Sequence, residues 1–157
     1  MNITYVNGDA TKPVRLKEDS DVFICHITNN LGGWGAGFTG ALSARWPEPE
    51  MVYRNSWDDG RVALGVIDIV RTEELISVVN MCAQNGYRSA SNPVAVDYDY
   101  LGECFATLDK FVSEQKGNCE LHMPRIGCGL AGGKWDKVLE VMEQSVPKVP
   151  IVVYDFP

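Results

Sequence analysis

The chain has 157 residues, 45% of them hydrophobic and 22% charged, with a formal net charge of −7. That length suits one domain with a substantial core, and no apolar run approaches the ~20 residues a bilayer crossing needs. So acidic a chain repels polyanions at long range, which argues against non-specific nucleic-acid binding but not against a small phosphate ligand held by backbone N–H groups.

In chain order, Ile3 to Val6 is a short β-prone run ended by the turn signal Asn7-Gly8-Asp9. Asp21 to Ile27 is almost wholly apolar, as in a strand covered on both faces. A glycine-dense stretch from Gly32 to Gly40 leads into a helix over FTGALSARW, with Phe38, Ala41 and Leu42 on one side. Pro47 and Pro49 break that helix, and Glu50 to Trp57 forms another. Val62 to Val70 and Leu75 to Met81 read as strands. From Asp99 to Glu114, residues Leu101, Cys104, Phe105, Leu108, Phe111 and Val112 recur at steps of three and four, one apolar helical stripe. Leu121 to Ile126 is a strand, GCGLAGG a loop, and Lys134 to Gln144 a helix with Trp135, Val138, Leu139 and Met142 inward. Ile151 to Tyr154 closes as a strand. Strands alternating with helices predict an α/β fold, a mixed, mostly parallel sheet with helices on both faces. Ligands then bind beyond the carboxyl ends of the strands.

The five cysteines (Cys25, Cys82, Cys104, Cys119 and Cys128) follow no paired spacing, as expected of free thiols in a reducing compartment. The two histidines, His26 and His122, stand at no metal-ligand spacing, so neither metal nor cofactor is expected. The N-terminal MNITYVNGDATKP lacks the basic-then-apolar pattern of a signal peptide, which makes the cytoplasm the expected compartment.

Two loops carry the chemistry. In H26-I-T-N-N-L-G-G-W-G-A-G37, the glycines allow close backbone approach to a ligand, and the N–H groups at the following helix start suit a phosphate. In M123-P-R-I-G-C-G-L-A-G-G-K-W135, Gly127, Gly129 and Gly132 spell GxGxxG, but too close to the C-terminus for a dinucleotide-binding unit. A nicotinamide oxidoreductase is therefore a distant reading. Cys128 and Lys134 have the spacing of a Cys-x5-Arg phosphatase loop without its arginine. Asp9 either caps a turn or accepts from an exocyclic amine, and Tyr154 is either a core aromatic or a surface for a base. Asn29 and Asn30 are open to a plain turn role, and His26 to a core role.

Taken together and in order, Gly8-Asp9 after the first strand, the loop at 32–37, M-P-R-I-G-C-G-L at 123–130 and V-V-Y-D at 152–155 resemble a macro domain over essentially the whole chain, 1–157. M-P-R-I-G-C-G-L is similar to the branch containing terminal ADP-ribose glycohydrolases. H-I-T-N-N-L-G-G-W-G-A-G with R-W-P-E-P-E-M-V-Y looks like the ADP-ribose-1″-phosphate phosphatase branch. The resemblance implies a single three-layer α/β/α domain in which Asp9 binds the adenine amine, Tyr154 packs on the adenine, and Asn29 faces the distal ribose. Gly35, Ala36 and Gly37, with Gly127, Cys128, Gly129 and Leu130, would hold the diphosphate and distal ribose through N–H groups. Ala10 and Trp34 complete the expected contact set.

The chain departs from the family's hydrolytic patterns. Thr39 stands where one type carries an aspartate, Ala131 where the glycohydrolase branch carries one, and C-A-Q-N-G at 82–86 offers no lysine. The expectation is thus ADP-ribose binding with hydrolysis of ADP-ribose-1″-phosphate, using His26 as proton donor or orienter and Asn29 to position the terminal ribose or its water. Two readings stay beside it: a non-catalytic ADP-ribose-binding module, and a hydrolase that removes ADP-ribose from protein or nucleic acid. A monomer with no membrane association is expected.

Overall fold

The computed structural model describes residues 1–156. Its elements are β1 (Ile3–Asn7), β2 (Asp21–Asn29), α1 (Phe38–Arg45), α2 (Glu48–Asp58), β3 (Ile67–Glu73), β4 (Ile76–Gln84), α3 (Tyr98–Ser113), β5 (Cys119–Pro124), α4 (Trp135–Ser145) and β6 (Ile151–Asp155). The strands form one six-stranded sheet in the order β1-β6-β5-β2-β4-β3. Only the β3–β4 hairpin is antiparallel; the other pairings are parallel.

The apolar run of β2 is explained by its two covered faces. Val22 and Ile24 pack with Leu42 and Trp46 on the α1 side, together with Ile76 and Val78 of β4. Phe23 and Cys25 face the opposite layer, where Leu101, Phe105 and Leu108 of α3 meet Val138 and Met142 of α4. Alternate residues of one strand thus feed two cores, giving three layers. Truncating a core residue such as Phe105 to alanine would cost about 3–5 kcal/mol.

Three local expectations are corrected. The third strand begins at Ile67 rather than Val62, because Gly65 sits at φ 87° and donates its N–H to Cys82 O (2.8 Å), turning the preceding segment. Pro47 and Pro49 start α2 instead of only ending α1: Pro47 is its N-cap and Pro49 lies in the first turn, where no backbone donor is missed. Phe111, on the predicted stripe of α3, is 38% exposed and meets Phe23 edge-on. The start of α3 is fixed by Asp97, whose carboxylate accepts from Tyr100 N (3.1 Å).

Parallel pairing brings the carboxyl ends of β2, β4 and β5 to one edge of the sheet. The connections 30–37, 85–97 and 125–134 leave from that edge and stand around a single depression.

Candidate functional site

The depression is a cleft of about 780 Å³ lined from all three connections. Its lining includes the guanidinium-bearing Arg88 and Arg125 and the imidazole of His26 but, among the described residues, no carboxylate. In a chain of net charge −7, that local composition favours an anion.

The first loop is organised by Asn29. Its Oδ1 accepts from Leu31 N (2.9 Å) and Gly33 N (3.1 Å), and its Nδ2 donates to Gly33 O (3.1 Å). The Tyr53 hydroxyl donates to Asn29 O (2.7 Å) and accepts from Gly32 N (3.1 Å). Further on, the Thr39 hydroxyl accepts from Gly35 N and donates to Ala36 O, both at 2.8 Å. Trp34 is fixed by donation from Nε1 to Ser43 Oγ (2.7 Å), which donates in turn to Glu50 (2.8 Å). What remains are the N–H groups of Ala36, Gly37 and Phe38 at the start of α1, which meet no protein acceptor among the described residues.

The second loop offers a longer bank of donors. Its own bonds are Gly132 N to Gly129 O (3.1 Å) and Gly133 N to Gly127 O (2.7 Å). Ala131 O accepts from both Ala95 N and Val96 N, which staples the loop to the β4–α3 connection. The N–H groups from Gly127 to Ala131 meet no protein acceptor among the described residues. A Cβ on Gly37 would come within 3.0 Å of Leu130 Cδ1, so the two loops meet across the cleft. Cys128 directs Sγ to Ile126 O (3.4 Å), and burial raises its thiol pKa. A neutral thiol is a poor nucleophile, so the Cys-x5 reading loses its chemical basis.

His26 is 2% exposed, flanked by Trp34 at a ring separation of 5.3 Å and by Phe38 at 6.1 Å. Its Nε2 lies 2.6 Å from Asn80 Oδ1. Asn80 Nδ2 donates to Pro49 O (3.1 Å), which fixes the amide orientation and makes His26 Nε2 the protonated nitrogen. Nδ1 then carries a lone pair, and it is buried without a partner. Burial, opposed by the Asn80 bond, pushes the imidazole pKa down to about 4. His26 is therefore a neutral acceptor near pH 7.

At the β1–β6 end, Asp9 Oδ1 accepts from both Thr11 N (2.8 Å) and Thr11 Oγ1 (2.7 Å), closing a side-chain turn. Ala10 is buried beneath it, against Val152 and Tyr154. Tyr154 is 4% exposed; its hydroxyl accepts from Val14 N (3.0 Å) and donates to His122 Nδ1 (2.7 Å). His122 Nε2 donates to Glu120 (2.8 Å), whose two oxygens also take Leu16 N and Lys17 N, each at 2.9 Å. Two residues beyond Tyr154, Phe156 is 78% exposed.

No family model matches the chain. A macrodomain protein from Streptomyces coelicolor superposes with a TM-score of 0.83 at 34% identity, covering 98% of this chain and 99% of that one. The chain belongs to the macrodomain family. A protein of unknown function from Bacteroides thetaiotaomicron is similar to this macrodomain at 36% identity and a TM-score of 0.90, over 99% of this chain and 98% of that one. Thermosipho africanus DarTG, solved in complex with ADP-ribose, has the same fold at 15% identity and a TM-score of 0.76, over 99% of this chain and 42% of its own. Among sequence relatives, the mouse (Mus musculus) chromodomain-helicase-DNA-binding protein 1-like is 29% identical over 99% of this chain, which spans 18% of its length. An ADP-ribose 1″-phosphate phosphatase of Saccharomyces cerevisiae is 24% identical over 98% of both chains. A DNA ADP-ribosyl glycohydrolase of Mycobacterium tuberculosis is 24% identical over 97% of this chain and 42% of its own.

The macrodomain cleft gathers His26, Asn29, Trp34, Ala36, Gly37, Gly127, Gly129 and Leu130. Several expected roles change. Asn29 is the brace of the first loop, with its oxygen and one amide hydrogen committed, so it positions backbone rather than a water. Gly35 has its N–H tied to Thr39 and is not a free donor. Tyr154 has too little exposed ring to carry a base, because its hydroxyl anchors it inside the sheet's flank. Cys128 presents only its N–H, and Ala10 is covered. His26 cannot donate from an unprotonated Nδ1, so of its two expected roles only the orienting or accepting one fits. Asp9 keeps Oδ2 outside its turn bonds.

Sequence reasoning overlooked Asn80, Tyr87, Arg88 and Phe156. Arg88 was visible as a lone cation in the polar stretch Q-N-G-Y-R-S-A-S-N-P between a strand and a helix. Phe156 was visible as the next residue of Tyr154's alternation.

Proposed function

We propose that this macrodomain binds ADP-ribose along the cleft and hydrolyses ADP-ribose-1″-phosphate to ADP-ribose and phosphate. The observation that carries the binding half is the double row of unpartnered N–H groups, at 36–38 and 127–131, facing a cleft without carboxylates. Such a cradle suits a diphosphate without basic side chains. The strand order then sets the ligand's direction. The adenine lies at the β1–β6 end, with Asp9 Oδ2 toward its exocyclic amine and Phe156, in place of Tyr154, as the stacking surface. The diphosphate crosses the ends of β5 and β2, and the distal ribose reaches the connection after β4.

The chemical half rests on His26. A water oxygen attacks the phosphorus and the bond from phosphorus to the 1″ oxygen breaks; Nδ1 accepts the water's proton and returns it to solvent, and the departing oxygen takes its proton from solvent. Nδ1 is suited to this by its free lone pair, and Asn80 holds the ring in the required tautomer. The N–H groups of the second loop stabilise charge as the bond breaks. The yeast phosphatase relative supports this activity. The lack of cleft carboxylates favours the second reading, a binding module without turnover.

Calorimetry with ADP-ribose tests the first half, and adenosine, which lacks the diphosphate, should bind far more weakly. Phosphate release from ADP-ribose-1″-phosphate tests the second, and His26→Ala should lower it at least ~10-fold while leaving ADP-ribose affinity largely intact. Equal affinity for ADP-ribose and adenosine would end the cradle reading. Absence of release from the wild type would leave the binding module.

A further inference from the structure

The connection after β4 is braced as tightly as the two glycine loops. Asn30 Oδ1 accepts from Gly86 N (2.8 Å), and Asn30 Nδ2 donates to Asn85 Oδ1 (3.1 Å), tying it to the first loop. Asn92 Nδ2 donates to both Asn85 O (2.9 Å) and Tyr87 O (3.0 Å), and Ser89 and Asn92 exchange backbone bonds at 3.0 and 3.1 Å. At its far end, Ala95 N reaches Ala131 O (2.8 Å) in the second loop.

From this frame two consecutive side chains reach opposite walls of the cleft. The Tyr87 hydroxyl lies where a Cβ on Gly33 would stand. A Cβ on Gly132 would come within 3.0 Å of Arg88 Nε and 3.1 Å of Arg88 Cδ, so the arginine stem lies along the second loop. Gly33 is thus small to admit Tyr87, while Gly132 is small because the backbone oxygen of Pro93 stands where its Cβ would be, with the Arg88 stem packed beside it. The pair closes the end of the cleft that lies beyond β2, the end assigned above to the distal ribose.

The charges of the cleft are unequal in their freedom. Arg125 is held by Asp155 through two bonds, of 2.6 and 3.1 Å, and its guanidinium stacks on Tyr5 and Trp135. Arg88 also lines the cleft but makes no ion pair among the described residues. A guanidinium with open donors matches two oxygens of a phosphate group at once.

We infer that Arg88 is a specificity-determining residue that recognises a phosphate monoester on the distal ribose and sets ADP-ribose-1″-phosphate apart from ADP-ribose. The inference rests on the ADP-ribose orientation proposed above. It gives the terminal dianion a local counter-charge, which a protein of net charge −7 otherwise lacks at this end.

The test is calorimetry with ADP-ribose and with the phosphonate analogue of ADP-ribose-1″-phosphate, in which a methylene replaces the bridging oxygen and prevents hydrolysis. Wild type should bind the phosphonate about tenfold more tightly, a preference that shrinks as salt rises. In Arg88→Gln the two ligands should bind within about twofold of each other, with melting temperature unchanged. Arg88→Lys should retain part of the preference. ADP-ribose binding with no preference for the phosphonate, or a preference that survives Arg88→Gln, overturns this inference alone. Failure of the wild type to bind ADP-ribose overturns the reading beneath it.

Discussion

His26 and Asn80 form a buried pair in which the imidazole Nε2–H donates to the amide oxygen at 2.6 Å, leaving Nδ1 with an unshared lone pair. The pair has a consequence for stability as well as for chemistry. The folded-state pKa of His26 is about 4 against an ordinary 6.5. Between those values the unfolded chain binds a proton that the native protein refuses, so acid favours unfolding. The contribution is fully present above pH 6.5 and is lost as pH falls through about 4, a span of about 3 kcal/mol.

The first prediction follows from that sign. Denaturant unfolding at pH 7 and pH 4 should show a smaller loss of stability in His26→Gln than in wild type. Asn80→Asp places a carboxylate against Nε2 and should move the His26 titration, followed by NMR, upward toward or beyond the ordinary histidine range. Identical acid sensitivity in His26→Gln and wild type would show that the imidazole is not held neutral.

The second concerns the first loop. Asn29→Ala removes the acceptor of Leu31 N and Gly33 N and the donor to Gly33 O. The loop loses its shape while the sheet keeps both its cores. ADP-ribose affinity should fall about tenfold or more, with faster hydrogen exchange at Leu31 and Gly33 and a loss of stability near 1–2 kcal/mol. Asn29→Asp keeps the acceptor and should retain more of the affinity. Full affinity in Asn29→Ala would mean that the loop's form does not depend on this side chain.

The third separates glycines that serve packing from those that face the cleft. A Cβ on Gly133 would lie 2.5 Å from Gly127 O and 2.6 Å from Val96 Cγ1, whereas one on Gly129 meets nothing within 4 Å. Gly133→Ala should therefore lower the melting temperature sharply or prevent folding, at a cost of about 1–3 kcal/mol or more. Gly129→Ala should melt like wild type and change only ligand affinity. Equal stability of the two variants would contradict the close approach at Gly133.

The same contrast explains what the sequence reveals and what it conceals. The course of β2 and α3 is legible because each carries its own pattern, an unbroken apolar run in one and steps of three and four in the other. Glycine density marks both loops correctly as places of close approach. The reason for each glycine is hidden, because Gly33 answers to Tyr87, Gly132 to Pro93 and Gly133 to Val96, all distant in sequence. Asn80 is similarly silent: a lone asparagine in an apolar strand acquires meaning only when parallel pairing sets it beside His26. The prolines at 47 and 49 mislead for a local reason, since a residue that breaks a helix interior is favourable in a first turn.

The last prediction concerns the adenine end, where alternation along β6 cannot say which aromatic is free. Tyr154 is fixed by Val14 N and His122, which in turn is held by Glu120. Tyr154→Phe leaves His122 Nδ1 and Val14 N without their partner and should destabilise the protein by about 1–3 kcal/mol. ADP-ribose affinity of the folded protein should not change. Phe156 carries no such bonds and is 78% exposed, so Phe156→Ala should melt like wild type. If it stacks on the adenine, that variant should lose about 1–3 kcal/mol of ADP-ribose binding, the range for removing an aromatic platform from a base. Ribose-5-phosphate, which has no base, should bind wild type and Phe156→Ala equally. The opposite pattern, with affinity lost in Tyr154→Phe and kept in Phe156→Ala, would return the stacking role to Tyr154 and require that its ring leave the interior to meet the base.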